Sequence, residues 1–440
     1  MKKFLTGFLA IVTLAWAWSF FSEARLSGSS LLWTMRQEGL YLSGLYSITL
    51  MSLSMILATR PAWLERPFGG MDRVYRVHKW AGILAIVFAA AHWLIEMSSD
   101  VLKALIGRAG RVPKEEYSGL LDVLRDVAED VGEWAIYALL AMLVLTLWKR
   151  FPYQIWRYLH RIMPVLYLML AFHAALLAPL DYWTQPVGML LALLFTGGVV
   201  ASILSLTRHI GRRRQVNGTI LSVGSSTAGI TEVCCRLDAG WRGHRPGQFV
   251  FVTLEPGEGA HPFTIASADH GDRRISLQIK GLGDYTRRLQ ERLQAGQPIK
   301  VEGPYGQFDL TRRNPRAQQI WIAGGIGVTP FLAWLESLQD QPQASPAADL
   351  YYCTRDRSTD GLVPRLVSLC AALPNVRLHV YGAEQGEVLT TAHLQRMQPA
   401  AQQTEVWFCG PQGLARVLKN GLQHALKSRL RFHQEAFEMR

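Results

Sequence analysis

Cysteine is scarce in this chain, and all of it lies in the second half. The five cysteines are Cys234, Cys235, Cys353, Cys370 and Cys409. Their spacing contains no Cys-x-x-Cys pair, which speaks against a zinc finger. No disulfide framework is visible either, and this agrees with a reducing compartment for the second half of the chain.

Charge is also sparse, since only 18% of the residues are charged while 49% are hydrophobic. The net charge of +12 would suit a nucleic-acid binder, but the basic residues gather at the ends of apolar segments. They occur at Lys2-Lys3, at Lys149-Arg150 and from Arg208 to Arg214. Such positions flank membrane helices, so we interpret the charge as membrane topology and expect lipid, not nucleic acid, as a partner.

Long apolar runs, by contrast, are abundant before Arg208. Six segments are long enough to cross a bilayer, namely residues 4–21, 40–59, 77–97, 134–149, 156–178 and 186–207. Ala15-Trp16-Ala17 in the first segment resembles a signal-peptide cleavage site. The apolar run continues past that site, which favours a retained helix.

The distribution of Lys and Arg predicts the orientation of these segments. The N-terminus and the basic stretches at 60–76, 149–157 and 208–214 are expected on the cytoplasmic side. Residues 98–133 are then expected outside. The helical spacing of apolar residues from Leu120 to Val127 predicts an amphipathic surface helix there.

Four histidines lie in pairs on two of the apolar segments. His78 and His92 are 14 positions apart, and His160 and His173 are 13 apart. At about 1.5 Å rise per residue, each pair is separated by roughly 20 Å, and 14 residues return nearly to the same helix face. Two such helices side by side would hold four imidazoles as two pairs, each able to clamp a haem. Pro164 is expected to kink the second helix and so to turn His173 onto the same face as His160. A lone histidine is more often structural, but four paired ionisable groups in membrane segments favour ligands.

After residue 214 the sequence has the texture of a soluble protein. Strand-like segments occur at residues 219–223, 232–237, 248–253 and 274–279, and together they predict an antiparallel β-barrel. Later strands that alternate with helices predict an α/β domain with a parallel sheet, at residues 319–323, 348–353, 377–381 and 405–408. We therefore predict three domains: an all-α six-helix membrane bundle (1–214), a β-barrel (215–313) and an α/β domain (314–440).

Two turns at the ends of predicted strands carry a binding signal. Gly324-Gly325-x-Gly327 lies between a strand and a helix, where glycines let the backbone approach phosphates and the helix N-terminus attracts their charge. Cys409-Gly410-Pro411 ends a later strand on the same edge of the sheet. Each turn alone is weak evidence for nucleotide binding, and their order along the chain strengthens both.

The whole chain resembles the family of NADPH oxidases and ferric reductases, as a bacterial member. That family joins a six-helix di-haem membrane domain to a ferredoxin-reductase-like flavin and nucleotide module. The histidine spacings match the family. Glu302-Gly303-Pro304-Tyr305-Gly306 is similar to the turn that closes its flavin domain, and Glu435-Ala436-Phe437 is similar to its C-terminal Glu-x-Phe.

The resemblance implies three kinds of bound group. Two b-type haems would be ligated by His78, His92, His160 and His173. FAD would be bound by His261, Pro262, Phe263, Thr264, Ser267, Lys280, Gly283, Asp284 and Thr286, with the ring of Phe437 covering the flavin. NADPH would be bound by Gly324, Gly325, Gly327, Thr329, Pro330, Arg355, Cys409, Gly410 and Pro411. Arg355 is where the family places a guanidinium for the 2′-phosphate, which favours NADPH over NADH.

The resemblance also implies a transmembrane oxidoreductase of the inner membrane. Electrons would pass from cytosolic NADPH through FAD and two haems to an outer acceptor, with no catalytic acid or base. The acceptor stays open between dioxygen, a ferric or cupric chelate, and a periplasmic protein or quinone. The sequence has no Asp-x-Asp-x-Asp-Gly calcium loop, so we expect activity without an obligate protein activator. A haem-free membrane transporter or sensor with a nucleotide-binding module is the alternative, and haem content separates the two.

Overall fold

The structure, a computed structural model, describes most of the chain. It covers residues 2–22, 30–111, 117–148, 150–227, 229–255, 258–396, 403–426 and 429–435. The chain divides into two compact units. The first comprises Met1–Leu64 and Arg73–Ile210, and the second comprises Glu65–Asp72 and Gly211–Arg440.

Helices make up the first unit. They are α1 (Lys2–Ser22), α2 (Leu31–Ala58), α3 (Ala62–Phe68, whose end belongs to the second unit), α4 (Met71–Ile106), α5 (Leu120–Leu147), α6 (Tyr153–His160), α7 (Met163–Leu177) and α8 (Pro186–Leu206). Six helical segments are long and apolar enough to span a membrane, with α6 and α7 together forming the fifth. The prediction of six spans is therefore confirmed.

The fifth span is interrupted in its middle. α6 ends at His160 and α7 begins at Met163; Arg161 and Ile162 keep helical dihedral angles but donate to the carbonyls three residues back, so a tighter turn separates the two helices. Pro164 follows at once and, lacking an N–H, is suited to the first turn of α7. The break lies between His160 and His173, where the sequence predicted a kink.

The helix α5 corrects the prediction of a separate surface helix. It runs without interruption from Leu120 to Leu147, so the amphipathic stretch up to Val127 is the beginning of the fourth span. Its charged residues occupy the first turns, and its apolar residues follow in the same helix.

The most enclosed helix of the first unit is α2, which carries several buried hydroxyl groups. Thr49 Oγ1 donates to the carbonyl of Leu45 at 2.6 Å, and Ser47 Oγ donates across to the carbonyl of Ala85 in α4 at 3.0 Å. Small hydroxyl side chains let helices approach closely and satisfy their own polar atoms, which is what a membrane interior requires. α2 packs on α8, and α5 packs on α7.

The second unit begins with a six-stranded sheet. Its strands are β1 (Gln215–Thr227), β2 (Ile230–Leu237), β3 (Phe249–Thr253), β4 (His261–Thr264), β5 (Arg274–Lys280) and β6 (Pro298–Tyr305). They follow the order β4-β3-β6-β1-β2-β5, and all neighbours pair antiparallel. Apolar residues of alternating positions build its core, with Val233, Leu277 and Val301 fully buried. Among the described residues, one isolated bridge, between Ile265 and Leu277, links the two edges of the sheet. This domain is therefore β-rich, but a closed barrel is not established.

A five-stranded parallel sheet follows. It consists of β7 (Gln318–Gly324), β8 (Ala348–Thr354), β9 (Val376–Gly382), β10 (Thr404–Cys409) and β11 (Leu430–Glu435), in the order β11-β10-β7-β8-β9. The main helices beside it are α11 (Thr329–Leu338), α12 (Leu362–Ala371) and α14 (Gln412–Leu426); the shorter helices of this unit are α9 (Asp284–Arg287), α10 (Leu289–Arg292) and α13 (Thr391–Arg396). Trp321, Phe331, Trp334 and Trp407 form an aromatic core on one face. The strand order brings the carboxyl ends of β7, β8 and β10 together at one edge.

Candidate functional site

The four histidines of the membrane-spanning helices meet as two pairs. The ring centres of His78 and His160 are 6.2 Å apart, and those of His92 and His173 are 6.3 Å apart. The two ring planes are nearly perpendicular in both pairs, at 88° and 85°. We call them the 78/160 pair and the 92/173 pair. Each joins one histidine of α4 to one of α6 or α7, because the break after His160 lets both rings turn toward α4.

Backbone carbonyls hold three of these rings. The Nδ1 atom of His78 lies 2.9 Å from the carbonyl oxygen of Ser54, and that of His92 lies 2.9 Å from that of Leu40. His173 Nδ1 lies 2.7 Å from the carbonyl oxygen of Ala128. A carbonyl can only accept, so Nδ1 carries the proton and Nε2 is left with its lone pair. That tautomer is the one a metal ligand needs.

Glycines make room for two of these hydrogen bonds. Gly44 follows Leu40 by four residues, and a Cβ on Gly44 would lie 3.1 Å from Nδ1 of His92. Gly132 follows Ala128 by four residues, and a Cβ there would overlap the ring of His173. In a helix the side chain at position i+4 points back over the carbonyl at position i. A glycine at that position leaves the carbonyl open to a second donor.

The histidine pairs fit haem. A metal–imidazole nitrogen bond of about 2 Å on each side, added to the distance from that nitrogen to its ring centre, gives a centre-to-centre separation of roughly 6 Å. Both observed separations agree with this value. Each pair supplies two imidazole nitrogens, which suits a metal that brings its remaining ligands with it, as haem does.

The predicted flavin segment lies on an edge strand of the first sheet. β4 begins at His261, whose ring stacks on that of Tyr285 with centres 4.9 Å apart. Phe263 lies on the same strand, and Thr264 is buried against β3. Burial raises the pKa of Tyr285. These rings offer aromatic faces at an open sheet edge, which suits a planar ligand.

The other predicted flavin residues lie around the end of β5. Ser267 Oγ accepts a hydrogen bond from the backbone of Ser276 at 3.0 Å, and Thr286 Oγ1 accepts from the N–H of Gly283 at 3.1 Å. These hydroxyls shape their own loops. The side chain of Asp284 and the whole of Phe437 lie outside the described residues.

The glycine turn after β7 and the turn after β10 touch each other. A Cβ on Gly327 would overlap the carbonyl of Cys409, and a Cβ on Gly410 would lie 2.9 Å from the backbone nitrogen of Gly324. Only glycines allow the two backbones to come so close. Gly325 has a φ of 54°, in the left-handed region, and Lys280 Nζ lies 3.9 Å from the position of a Cβ there. The structure thus brings Lys280 to the same edge as the nucleotide turn.

Four further predicted residues complete this edge. Thr329 and Pro330 form the first turn of α11 directly after the glycine turn. Arg355 follows β8, and its exposed guanidinium pairs with Glu384 through Nε at 2.7 Å. An exposed pair of this kind is weak, so it leaves the guanidinium available to a phosphate. Pro411 directly follows Gly410, and its ring lies so close to Gly324 that a Cβ on Gly324 would overlap it.

Two buried carboxylates lie near the end of β11: Glu435, which belongs to the C-terminal Glu-x-Phe, and Glu65, which belongs to no motif. Glu65 Oε1 accepts a hydrogen bond from the N–H of Gly306 at 2.5 Å. Glu435 lies beside the same glycine. Burial raises the pKa of Glu435, and the neighbouring carboxylates of Asp72 and Glu65 raise it further. Burial also raises the pKa of Glu65. Glu65 is an isolated acidic residue with no periodic pattern around it, so its grouping with Glu435 could not be predicted from the sequence.

Gly44, Gly132 and the carbonyls of Leu40, Ser54 and Ala128 were also not identified from the sequence. A carbonyl has no sequence signature. The glycines did offer one, because each interrupts an apolar helix that would be more stable with alanine.

Comparison with known protein families divides the chain in the same way. A profile described as ferric reductase like transmembrane component matches residues 43–171. A profile described as FAD-binding domain matches residues 231–310, and one described as oxidoreductase NAD-binding domain matches residues 321–420.

Curated relatives cover different parts of the chain. The glycine betaine monooxygenase reductase subunit of Chromohalobacter salexigens is 29% identical over 209 residues, which are 44% of this chain and 56% of the relative. Dual oxidase 2 of Homo sapiens is 24% identical over 324 residues, which are 67% of this chain and 20% of the relative. The chain spans about half the length of the first of these relatives.

Among solved structures, the flavohemoglobin from Malassezia yamatoensis is similar with a TM-score of 0.51 at 16% identity. The match covers 93% of this chain and 100% of that one, and at this identity it shows a similar fold alone. The chain thus carries a ferric reductase like transmembrane domain followed by FAD-binding and NAD-binding domains and also matches Dual oxidase 2, a combination that matches the family of NADPH oxidases and ferric reductases.

Proposed function

We propose that this protein is a transmembrane oxidoreductase that passes electrons from cytosolic NADPH, through FAD and two b-type haems, to an acceptor on the outer side of a bacterial inner membrane. Three domains would divide the work: residues 1–214 hold the haems, residues 215–313 form a closed β-barrel that holds FAD, and residues 314–440 bind NADPH. The basic segments at 60–76, 149–157 and 208–214 support a cytoplasmic position for the flavin and nucleotide domains.

The observation that carries this proposal is the separation of the two histidine pairs. Ring centres 6.2 and 6.3 Å apart, with Nδ1 of three rings held by carbonyls, are what axial ligation of two irons requires. In the proposed orientation the 78/160 pair is the inner site and the 92/173 pair is the outer site.

The chain's own residues orient the groups rather than react with them. Bound FAD would accept an electron pair from NADPH and haem iron would take electrons singly, so the flavin must stand between them. Lys280 and the glycine turn would hold phosphates, because a cation and open backbone N–H groups meet there. The stacked rings of His261 and Tyr285 would border the flavin, and Arg355 would select NADPH by its 2′-phosphate.

The acceptor would be a small molecule, either dioxygen or a ferric or cupric chelate. His78 and His160 would hold one haem and His92 and His173 the other, and the outer haem would supply electrons to the acceptor one at a time. For dioxygen the balance is one NADPH and two O₂ giving NADP⁺, one proton and two superoxide ions. We propose that no obligate protein activator is needed.

An anaerobic absorption spectrum tests the proposal. The purified full chain, supplied with FAD, is measured before and after NADPH is added. Haem bands that sharpen to the reduced form are expected, because the chain would hold every carrier between NADPH and the haems. Reoxidation by air and by a ferric chelate is then timed, and the faster oxidant identifies the acceptor class. Haem bands absent even with dithionite would contradict the proposal.

A further inference from the structure

One of the four histidine rings is held differently from the others. His78, His92 and His173 each place Nδ1 within 2.9 Å of a backbone carbonyl oxygen. Among the described residues, the ring of His160 makes no hydrogen bond. Instead it stacks on the indole of Trp156, with ring centres 4.8 Å apart and planes inclined by 18°.

Trp156 is itself anchored to a neighbouring helix. Its indole N–H donates a hydrogen bond to Thr146 Oγ1 in α5 at 2.9 Å. Thr146 Oγ1 in turn donates to the carbonyl of Met142 at 2.7 Å, so its own orientation is fixed. The plane of the indole is therefore fixed, and stacking keeps the imidazole of His160 nearly parallel to it.

The position of His160 in its helix explains why this support is needed. Trp156 and His160 are four residues apart, so their side chains lie one above the other on α6. His160 is the last residue of α6, and a tighter turn at Arg161 and Ile162 separates it from α7. Its ring therefore leans back over the turn that contains Trp156, whereas the other three histidines lie inside longer helices.

We propose that Trp156 is the positioning residue for His160, and that it sets the angle between the two imidazole planes of the 78/160 pair. This inference rests on the proposed function, since it supposes that this pair ligates a haem. Stacking restricts rotation of the His160 ring and keeps it nearly perpendicular to that of His78, at 88°. It does so without a hydrogen bond to Nδ1, so it fixes orientation alone.

Electron paramagnetic resonance of the ferric protein tests the inference. The low-spin signal of a bis-histidine haem depends on the angle between the two ligand planes, and a merely structural side chain would not move it. The parent is the full chain with His173→Ala, which leaves the 78/160 pair as the sole complete pair. Trp156→Leu in this background is expected to broaden the signal and move its largest g value downward. It is also expected to lower haem content below one per chain.

Three matched variants sharpen the test. Trp156→Phe keeps an aromatic face but loses the N–H that donates to Thr146, and is expected to move the signal in the same direction by less than Trp156→Leu does. Thr146→Val keeps the indole but removes its acceptor, and is expected to move the signal in the same direction by a smaller amount. Trp93→Leu removes an indole that packs edge-on against Tyr137, and is expected to leave the signal unchanged.

The outcomes separate the two proposals. A haem-bound Trp156→Leu protein with the parent signal would overturn the inference and leave the proposed function intact. If Trp156→Leu yields no haem protein, Thr146→Val decides, and an unchanged signal there would overturn the inference too. A parent without haem would overturn the proposed function, and the inference with it.

Discussion

Gly132 lies directly against the ring of His173, so closely that a Cβ on Gly132 would overlap Nδ1 and Cε1 of that ring. The same helix supplies the carbonyl of Ala128 that accepts from Nδ1. A side chain at position 132 would therefore displace the imidazole and break its hydrogen bond at once.

Gly132→Ala is expected to remove about one of two haems per chain, because the displaced His173 could no longer face His92 across an iron. Haem content per protein in the purified full chain measures this. Gly44→Ala is expected to have a smaller effect, since a Cβ there would lie 3.1 Å from the His92 ring and a shift of only a few tenths of an ångström would relieve the contact. Gly7→Ala is the control, because nothing lies within 4 Å of the added atom. Equal haem content in all three would contradict the assignment of the 92/173 pair.

The contact between the two nucleotide turns gives a second prediction. Gly327→Ala would place a Cβ on the carbonyl of Cys409 and push the turns apart. We expect the KM for NADPH to rise by roughly tenfold or more, because backbone N–H groups would no longer converge on the phosphates. Steady-state oxidation of NADPH with a soluble dye as acceptor measures this. Gly413→Ala, where nothing lies within 4 Å, should leave the KM unchanged.

Arg355 gives a prediction about coenzyme choice. A charge-assisted hydrogen bond contributes about 1.5–3 kcal/mol, so Arg355→Ala should lower kcat/KM for NADPH by roughly tenfold to a hundredfold. The value for NADH should hardly change. Arg357→Ala is the matched control, because Arg357 lies two residues away and pairs with Glu387 at 2.8 Å. Equal losses for both coenzymes would show that Arg355 does not read the 2′-phosphate.

Glu405 gives a prediction about acid stability. Burial raises its pKa, but hydrogen bonds from His433, Gln319 and the N–H of Asn314 outweigh this and bring the pKa to about 2. The folded pKa lies below the unfolded value of 4.5, so the carboxylate stabilises the fold above pH 4.5 and loses that contribution as the pH falls toward 2. The contribution is at most roughly 3 kcal/mol.

The apparent melting temperature of the full chain, followed from pH 7 to pH 3, measures this. Glu405→Gln should lower the melting temperature at pH 7 and flatten its fall toward pH 3. Asp340→Asn is the control at an exposed acidic position, and it should reproduce the wild-type profile. A Glu405→Gln profile with the wild-type slope would show that another group governs acid unfolding.

Strands with strong local patterns could be predicted from the sequence. β7 was expected at residues 319–323 and is observed at Gln318–Gly324, because an apolar run ends there in a glycine turn. β4 and β11 were missed, as was β6, whose last residues were interpreted as a turn. β4 has four residues and contains Pro262, and β11 lies at an edge of its sheet with only two apolar residues, Leu430 and Phe432. In both strands pairing with a neighbour decides the conformation, and local sequence does not report it.

The candidate site likewise has parts that follow from local sequence and parts that depend on tertiary contacts. The histidines of α4 share a face by helical periodicity alone, so their pairing could be argued from spacing. The pairing of His160 and His173 with them depends on the break at Arg161 and Ile162, for which Pro164 is only an indirect signal. The carbonyls that accept from the histidines are tertiary contacts, and no periodicity encodes them. The stacking of Trp156 on His160 follows from a four-residue spacing within α6.

Haem content of the purified full chain tests the central claim most directly, because the whole electron path depends on the four histidines. The wild-type protein is expected to contain close to two haems per chain. His92→Ala should contain about one, and His209→Ala, which changes a histidine outside both pairs, should contain two. A His92→Ala protein with the wild-type haem content, or a wild-type protein without haem, would contradict the account.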